Sequence, residues 1–486
     1  MATTSTSVPH VGLVRGLGLL AATSFLVGDV IGTGVFLKTR VMTCNVGSPV
    51  TVIAVWVVAG LLSLAGALTY GEIASVLPRA GGDYVYIRDA YGRLAGFLYG
   101  WTRFFVANAG ATASLAAGFA IFFNIVTGGA LTAWSVTLPR VPWSPSISGL
   151  QAIALIAVAV VTLTNCAAVS VSGKLAVAFT ALKIVLVAGV AVVAAFFTAG
   201  SWDSFGLSAA GVACDGVAAS ARGGIAGFGA AMLGAMWAYN GWNELTYVSE
   251  EVKDPERNLP LAIIGGLGLV ALLYVLANVA YFYVLTPMEI AALPASASVA
   301  TSAMTRVIGN AAASIMAGAM AASIFGTLMI QSLACARVPF AMARDGMFFK
   351  ALAALSPRTR VPIRALVAQA GWASLLVLSG SYDTLTDYAI FAVVIFLALA
   401  TASVFVFRRR YRDHRGYRTL GYPVVPALFL IVAAWLVANT LVATPGRALA
   451  GLGLMACGLP FYWYWSRRLS PEQVLPPEGG SHGDGR

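Results

Sequence analysis

Apolar residues in this chain come in long blocks, not in the narrow periodic stripes of a water-soluble helix. A bilayer crossing takes about 20 predominantly apolar residues. Twelve blocks qualify, approximately 16–37, 49–74, 94–126, 149–169, 175–199, 225–250, 260–285, 311–336, 362–379, 384–407, 423–443 and 447–466. None shows the strict alternation of a membrane barrel strand. Backbone groups in lipid must be paired within their own segment, so the blocks predict helices. The expected fold class is an all-α integral membrane protein with twelve transmembrane helices. The first block, Leu17 to Leu37, is too long for a signal-peptide core and has no A-x-A cleavage site, so it reads as a retained first span.

Composition agrees. Charged residues make up 10% of the 486 positions and hydrophobic ones 59%, against about 25% charged in soluble domains. The net charge of +11 then points to basic cytoplasmic loops and not to nucleic acid, for which no soluble basic module exists. With the N-terminus inside, six basic residues fall outside: Lys38, Arg40, Arg140, Arg222, Arg306 and Arg447. Lys183 falls within a span, and the rest lie in or near cytoplasmic segments, densest over Arg337–Arg364 and in the run Arg408, Arg409, Arg410, Arg412, Arg415 and Arg418. Both termini are therefore expected in the cytoplasm. The tail after Ser470 reads as disordered. Cys44, Cys166, Cys214, Cys335 and Cys457 form no CxxC pair, and His10, His414 and His482 are isolated, so no metal site is expected. Cys44 and Cys214 fall on the same side. A disulfide between them stays open, but two unpaired thiols are the expectation.

Two spans are interrupted near their middles. The first contains Gly28-Asp29-Val30-Ile31-Gly32-Thr33-Gly34, and the sixth contains Trp237-Ala238-Tyr239-Asn240-Gly241-Trp242-Asn243. Each opens a block of five spans. Broken helices at matching places in two halves are the pattern of inverted-repeat transporters. An unwound turn exposes backbone groups, which is tolerated only where they line a cavity. The N–H groups at Gly32–Gly34 suit a carboxylate. The carbonyls near Val30 and Ile31, and those near Trp237–Tyr239, suit an ammonium. Together they read as a clamp for a free α-amino acid, with Trp237, Tyr239 and Trp242 as flat walls. Lys183 lies about 12 Å deep at the helical rise, too deep to snorkel, and is expected to tie the fifth span to the unwound carbonyls of the first. Asp29 is the other deep charge, a partner for Lys183 or a proton carrier. Glu72, Glu244, Glu250 and Glu251 are candidate partners of Arg79, Arg88 and Arg337 at a cytoplasmic gate or an ordinary surface.

These motifs resemble the amino acid–polyamine–organocation superfamily, and within it the L-type amino acid transporter family. The resemblance rests on Ile31-Gly32-Thr33-Gly34-Val35-Phe36; on Ala67-Leu-Thr-Tyr-Gly-Glu-Ile with Gly81-Gly82-Asp83-Tyr84-Val-Tyr86 and Tyr91-Gly92; on Ala178-Phe-Thr-Ala-Leu-Lys183; on Trp237 to Asn243 with Tyr247-Val-Ser-Glu250-Glu251; and on Arg337 to Gly346. It runs from about Gly16 to Trp465. It implies a five-plus-five inverted repeat: spans one to five over 16–199, six to ten over 225–407, eleven and twelve over 423–466, with tails at 1–15 and 467–486. It also implies alternating access and sodium-independent exchange, most simply of neutral L-amino acids. Lys183 would stand where related symporters hold sodium, and Trp237 would gate the substrate. The implied substrate contacts are Ile31, Gly32, Thr33, Gly34, Trp237, Ala238, Tyr239, Asn240, Gly241 and Asn243, with Asp29, Lys183 and Gln331 in coupling or gating.

Three departures matter. Thr33 replaces a serine. Asp29 stands at a neutral position, which opens proton coupling or a cationic substrate. Gln331 takes the place of a small residue facing the lysine. The segment Thr127 to Ser148 lacks the cysteine that ties animal members to a single-span glycoprotein, so no such partner is expected. A monomer in a bacterial inner membrane, without cofactor, is the expectation. A polyamine carrier would need more deep carboxylates than Asp29, and an enzyme would need clustered His, Asp or Glu. A sensor would need a signalling domain, and an ATP-driven pump a phosphate-binding Gly-x-x-x-x-Gly-Lys loop.

Overall fold

The computed structural model describes residues 15–137, 146–167, 169–197, 200–295, 297–379, 382–443 and 445–468. The N-terminal tail with His10, Arg140, and the tail after Ser470 with His482 lie outside them. The described chain is almost wholly helical, with one small hairpin of β1 (Ser135–Thr137) and β2 (Ser146–Ser148).

The chain opens with α1 (Leu19–Val30) and α2 (Gly34–Val46), then α3 (Pro49–Val76) and the short α4 (Asp83–Tyr91). α5 (Arg93–Thr102) passes through a π-helical turn, Arg103–Asn108, into α6 (Ala109–Val126). α7 (Gly149–Ala167), α8 (Val169–Phe197) and α9 (Gly224–Tyr239) follow, then a 3-10 segment, Glu244–Glu251. The rest is α10 (Pro255–Val284), α11 (Pro287–Ala292), α12 (Val299–Cys335), α13 (Arg337–Arg344), α14 (Ile363–Ser379), α15 (Tyr382–Arg410), α16 (Val424–Ala443), α17 (Pro445–Ala456) and α18 (Gly458–Ser466).

Eight helices among the described residues are long and apolar enough to cross a membrane. They include the α1–α2 pair, α3, the α5–α6 run, α10 and α16. Three of the other four blocks fall short for identifiable reasons. The sixth is cut at Tyr239, the ninth is 17 residues long, and the twelfth divides at Cys457. α3 and α10 pack against each other, α1 lies against α8 and α10, and α12 lies against α6 and α8. The two interrupted helices sit inside this packing: Val27, Ile31, Val35 and Phe36 are buried, as are Met236, Tyr239 and Trp242.

Two expectations from the sequence are overturned here. The first span does not end at Leu37, ahead of Lys38 and Arg40. The first span's second half runs on to Val46, and both residues lie within α2, each 3% exposed. Arg40 is held by the carbonyl oxygens of Leu293 and, at 2.9 Å, Asp215. Cys44 and Cys214 are not free thiols either. They form a disulfide that fastens the end of α2 to the segment leading into α9, with Cα atoms 5.9 Å apart. The spacing of 170 residues hid the pairing, because only the fold brings the two together.

Candidate functional site at two helix breaks

The run Ile31–Thr33 is unwound between α1 and α2, and Asn240–Asn243 is unwound after α9. Glycine permits both breaks and their contact. Gly241 has φ +113°, a region that side chains oppose. At Gly34 an added Cβ would lie 2.5 Å from the Cα of Ala238. The helix ends beside the two breaks thus touch backbone to backbone. Beside them lies a small cavity of about 30 Å³.

Most of the residues expected at the site line this cavity. Gly32, Thr33 and Gly34 come from the first break, and Trp237, Ala238, Asn240 and Gly241 from the second. Asp29 and Gln331 also reach it. The indole N–H of Trp237 donates to Thr33 Oγ1 at 3.4 Å, which sets that ring across the junction. The first N–H groups of α2 have no acceptor within their own helix, and the helix's positive end lies at the cavity. That end is suited to a carboxylate.

Other expected residues are placed elsewhere. Tyr239 turns toward α3: its hydroxyl donates to Trp56 O at 3.1 Å, and its ring packs on Trp56 and Tyr274. Trp242 packs edge-on against Tyr70. Asn243 donates to Asp83 Oδ2 at 2.8 Å. Ile31 contributes its carbonyl, which accepts from Thr327 Oγ1 at 3.0 Å. Other carbonyls of the breaks are also engaged. The Tyr274 hydroxyl lies 2.9 Å from Val30 O and 3.0 Å from Ala238 O, and Trp237 O accepts from Asn240 N–H at 3.1 Å.

Lys183 is fully buried in α8. Its ammonium donates to Gly28 O, in the last turn of α1, and to Thr327 Oγ1 on α12 at 2.6 Å. The link from the fifth span to the first is there, through a terminal helical carbonyl one turn before the unwound residues. The residue facing the lysine is Thr327, not Gln331. One helical turn separates the two, and Gln331 instead accepts from Thr112 at 3.2 Å. Asp29 is not at ion-pair distance from Lys183 among the described residues, and its Oδ2 has no hydrogen-bond partner.

Sequence reasoning passed over Arg103. It sits in the π-helical turn, 3% exposed, and pairs with the equally buried Glu244 on the far side of the second break. Its signal was available, since a charge inside an apolar block marks function by default. Tyr274 and Thr327 carried no such signal, because hydroxyl residues are common in membrane helices.

The acidic residues named for a cytoplasmic gate find partners different from most of those expected. Glu72 takes a forked Arg408 at 2.7 and 2.8 Å and the Thr419 N–H at 2.8 Å. Glu250 accepts from Ala80 N–H at 3.1 Å. Arg88 pairs with Asp345. Only Glu251 meets an arginine named beforehand, Arg337, at 3.0 Å.

Asp83, at the start of α4, draws this end of the molecule together. Its Oδ2 accepts from Asn243, from Tyr99 at 3.1 Å and from Tyr247 at 3.2 Å, so it latches the 3-10 segment to α4 and α5. Burial pushes its carboxyl up to about 6, against the opposing pull of Arg103 and of the hydrogen bonds from Asn243 and neighbouring tyrosines. A carboxyl released into water titrates near 4. The latched state therefore binds the proton more tightly and is favoured as pH falls through 6. Acidifying the α4 side from about pH 7 to 5 is expected to slow opening there and reduce turnover. Asp83→Asn should remove that dependence. A variant that kept the wild-type pH profile of turnover in vesicles would exclude the latch as its source.

The comparisons with known proteins run along nearly the whole chain. The b(0,+)-type amino acid transporter 1 of Mus musculus is 27% identical over 498 residues, covering 98% of this chain and 96% of that protein. The serine/threonine exchanger SteT of Bacillus subtilis is 29% identical, covering 94% and 98%. The large neutral amino acids transporter small subunit 2 of Oryctolagus cuniculus is 31% identical, covering 94% and 82%. The amino acid permease family profile matches residues 17–457, a stretch that contains both breaks and the cavity between them. With that match the chain belongs to the amino acid permease family, as a membrane transporter of amino acids and not an enzyme.

Proposed function

We propose that the chain exchanges neutral L-amino acids across the plasma membrane by alternating access, independently of sodium. The observation that carries this reading is the meeting of the two breaks. A positive helix end and a small polar-lined cavity share one place between two helices that are not continuous. The substrate carboxylate goes to the N–H groups that open α2, Trp237 covers it, and Gly34 and Gly241 let the two helix breaks approach closely around it. Lys183 supplies a fixed cation between α1, α8 and α12, so no sodium is needed there. Two of the relatives are named for neutral or for serine and threonine substrates, which supports the neutral class.

In this reading the helices form twelve spans: an inverted repeat of 16–199 and 225–407, followed by 423–466. Both tails are cytoplasmic, the membrane is a bacterial inner membrane, and the protein works as a monomer without a glycoprotein partner. Asp83 then belongs to the cytoplasmic gate. The test is purified protein in sodium-free liposomes with labelled L-serine and L-leucine outside. Uptake that depends on unlabelled amino acid inside is expected. Equal uptake into empty vesicles would exclude obligatory exchange.

A further inference from the structure

The substrate's carboxylate has an obvious place, but its ammonium does not. The carbonyls that an unwound turn offers are already partly engaged: Tyr274 lies between Val30 O and Ala238 O, Thr327 donates to Ile31 O, and Asn240 N–H donates to Trp237 O. A different acceptor stands free. Asp29 lies one residue from the end of α1, is 4% exposed and lines the cavity. Its Oδ2 has no hydrogen-bond partner and packs where Gly241 has no side chain. A Cβ there would approach that oxygen to 3.1 Å.

The surroundings restrict what Asp29 can do. Glu244 lines the same cavity. Glu244 is already matched by Arg103, and it accepts from the Cys335 thiol at 3.2 Å. From α8 the Lys183 ammonium faces the same region but spends its hydrogen bonds on Gly28 O and Thr327. α12 contributes Thr327 and Gln331, and α10 the Tyr274 hydroxyl. Asp29 is thus a buried carboxyl with one orphaned oxygen, in a cavity that another carboxyl also lines. Such a group stays ionised only when a cation reaches it, and otherwise holds a proton.

We propose that Asp29, set against Glu244, is the counter-ion of the substrate's ammonium group, and that a proton holds this place while the cavity is empty. The inference rests on the amino acid reading above and adds the ammonium subsite to it. On loading, the substrate's N–H donors point at Asp29 Oδ2, and the Asp29 proton leaves for water. The zwitterion enters and one proton is released. Asp29 is on the half-helix before the first break and Glu244 follows the second, so the subsite also joins the two interrupted helices when it is filled.

The sign of the pH effect follows. Binding that releases a proton tightens as pH rises, by up to tenfold per unit where the empty site titrates. The experiment uses the full chain in lipid nanodiscs. Tryptophan fluorescence reports binding of L-alanine, L-serine and L-leucine, each beside its α-hydroxy acid, from pH 5.5 to 8.5. Wild type is expected to bind the amino acid more tightly as pH rises and to bind the hydroxy acid far less well. Asp29→Asn should weaken amino acid binding by about 10- to 100-fold, the loss of a charged hydrogen bond. It should also flatten the pH profile and abolish the preference for amine over hydroxyl. A merely structural aspartate would not control that preference. Should Asp29→Asn fail to fold, Glu244→Gln serves instead. It removes the like charge, so the pH profile should move to lower pH. A wild-type affinity independent of pH would overturn the proposal, as would one that falls with rising pH, since the proton would then travel with the substrate. An unchanged amine preference in Asp29→Asn would overturn it too. If wild type bound none of the amino acids at any pH, the reading beneath it would fall, and the ammonium subsite with it.

Discussion

Replacing Gly34 with valine is expected to lower amino acid transport by about 100-fold or more, because it drives the two helix breaks apart by roughly 1 Å. A Cβ at position 34 would lie 2.5 Å from both Cα and Cβ of Ala238 and 3.2 Å from its nitrogen. Two of those three atoms belong to backbone, so no rotamer change relieves the contact. Normal carbon–carbon separation is about 3.5–4 Å. α2 must therefore retreat from α9, and its opening N–H groups move with it. Gly268 in α10 gives the control, since nothing lies within 4 Å of a Cβ built there. Gly268→Val should transport normally. Initial uptake rates in liposomes, per mass of reconstituted protein, decide the matter. Normal uptake by Gly34→Val would place the substrate away from the junction.

Gly34 also shows what the sequence makes legible and why. A glycine beside a polar residue in the middle of an apolar block signals a break without any coordinates, because lipid forbids unpaired backbone. The matching break at Gly241 follows from the same rule. So the broken helices, and the cavity residues taken from them, could be read directly. Side-chain direction could not. Tyr239 and Asn243 flank the second break as closely as Asn240 does, yet one turns to Trp56 and the other to Asp83. A break abolishes the helical periodicity that would have told one face from the other. Gln331 and Thr327 were confused for the opposite reason. They share a face of a regular helix, and only the depth of Lys183 against α12 selects between them. The ends of α2 were hidden as well, because Lys38 and Arg40 look like loop residues until Leu293 and Asp215 are folded over them. Arg103 was in plain view as a charge within a span. Its partner could not be inferred, because Glu244 is 141 residues away.

Removing the Lys183 ammonium is the change expected to separate transport from folding. Its two hydrogen bonds join three helices: α8 carries the lysine, α1 offers Gly28 O, and α12 offers Thr327 Oγ1. Thr327 in turn donates to Ile31 O at the first break. The lysine therefore sets, through one hydroxyl, where the unwound residues lie relative to α12. Hydrogen bonds to a charged group are worth about 1.5–3 kcal/mol each. Losing one of these from the transport-competent geometry alone gives about a tenfold to hundredfold loss of rate. Lys183→Ala should lose both, and also leave Asp29 and Glu244 facing Arg103 as the remaining nearby cation. Lys183→Met keeps most of the volume without the charge, so it distinguishes a missing cation from a missing stem. If the ammonium is what matters, both variants lose most transport while still inserting in the membrane and remaining monodisperse in detergent. Lys183→Arg should not restore it, since a forked guanidinium does not fit a fully buried site shaped for one nitrogen. Rates in liposomes with amino acid on both sides provide the measurement, and unchanged transport in Lys183→Met would take the charge out of the mechanism.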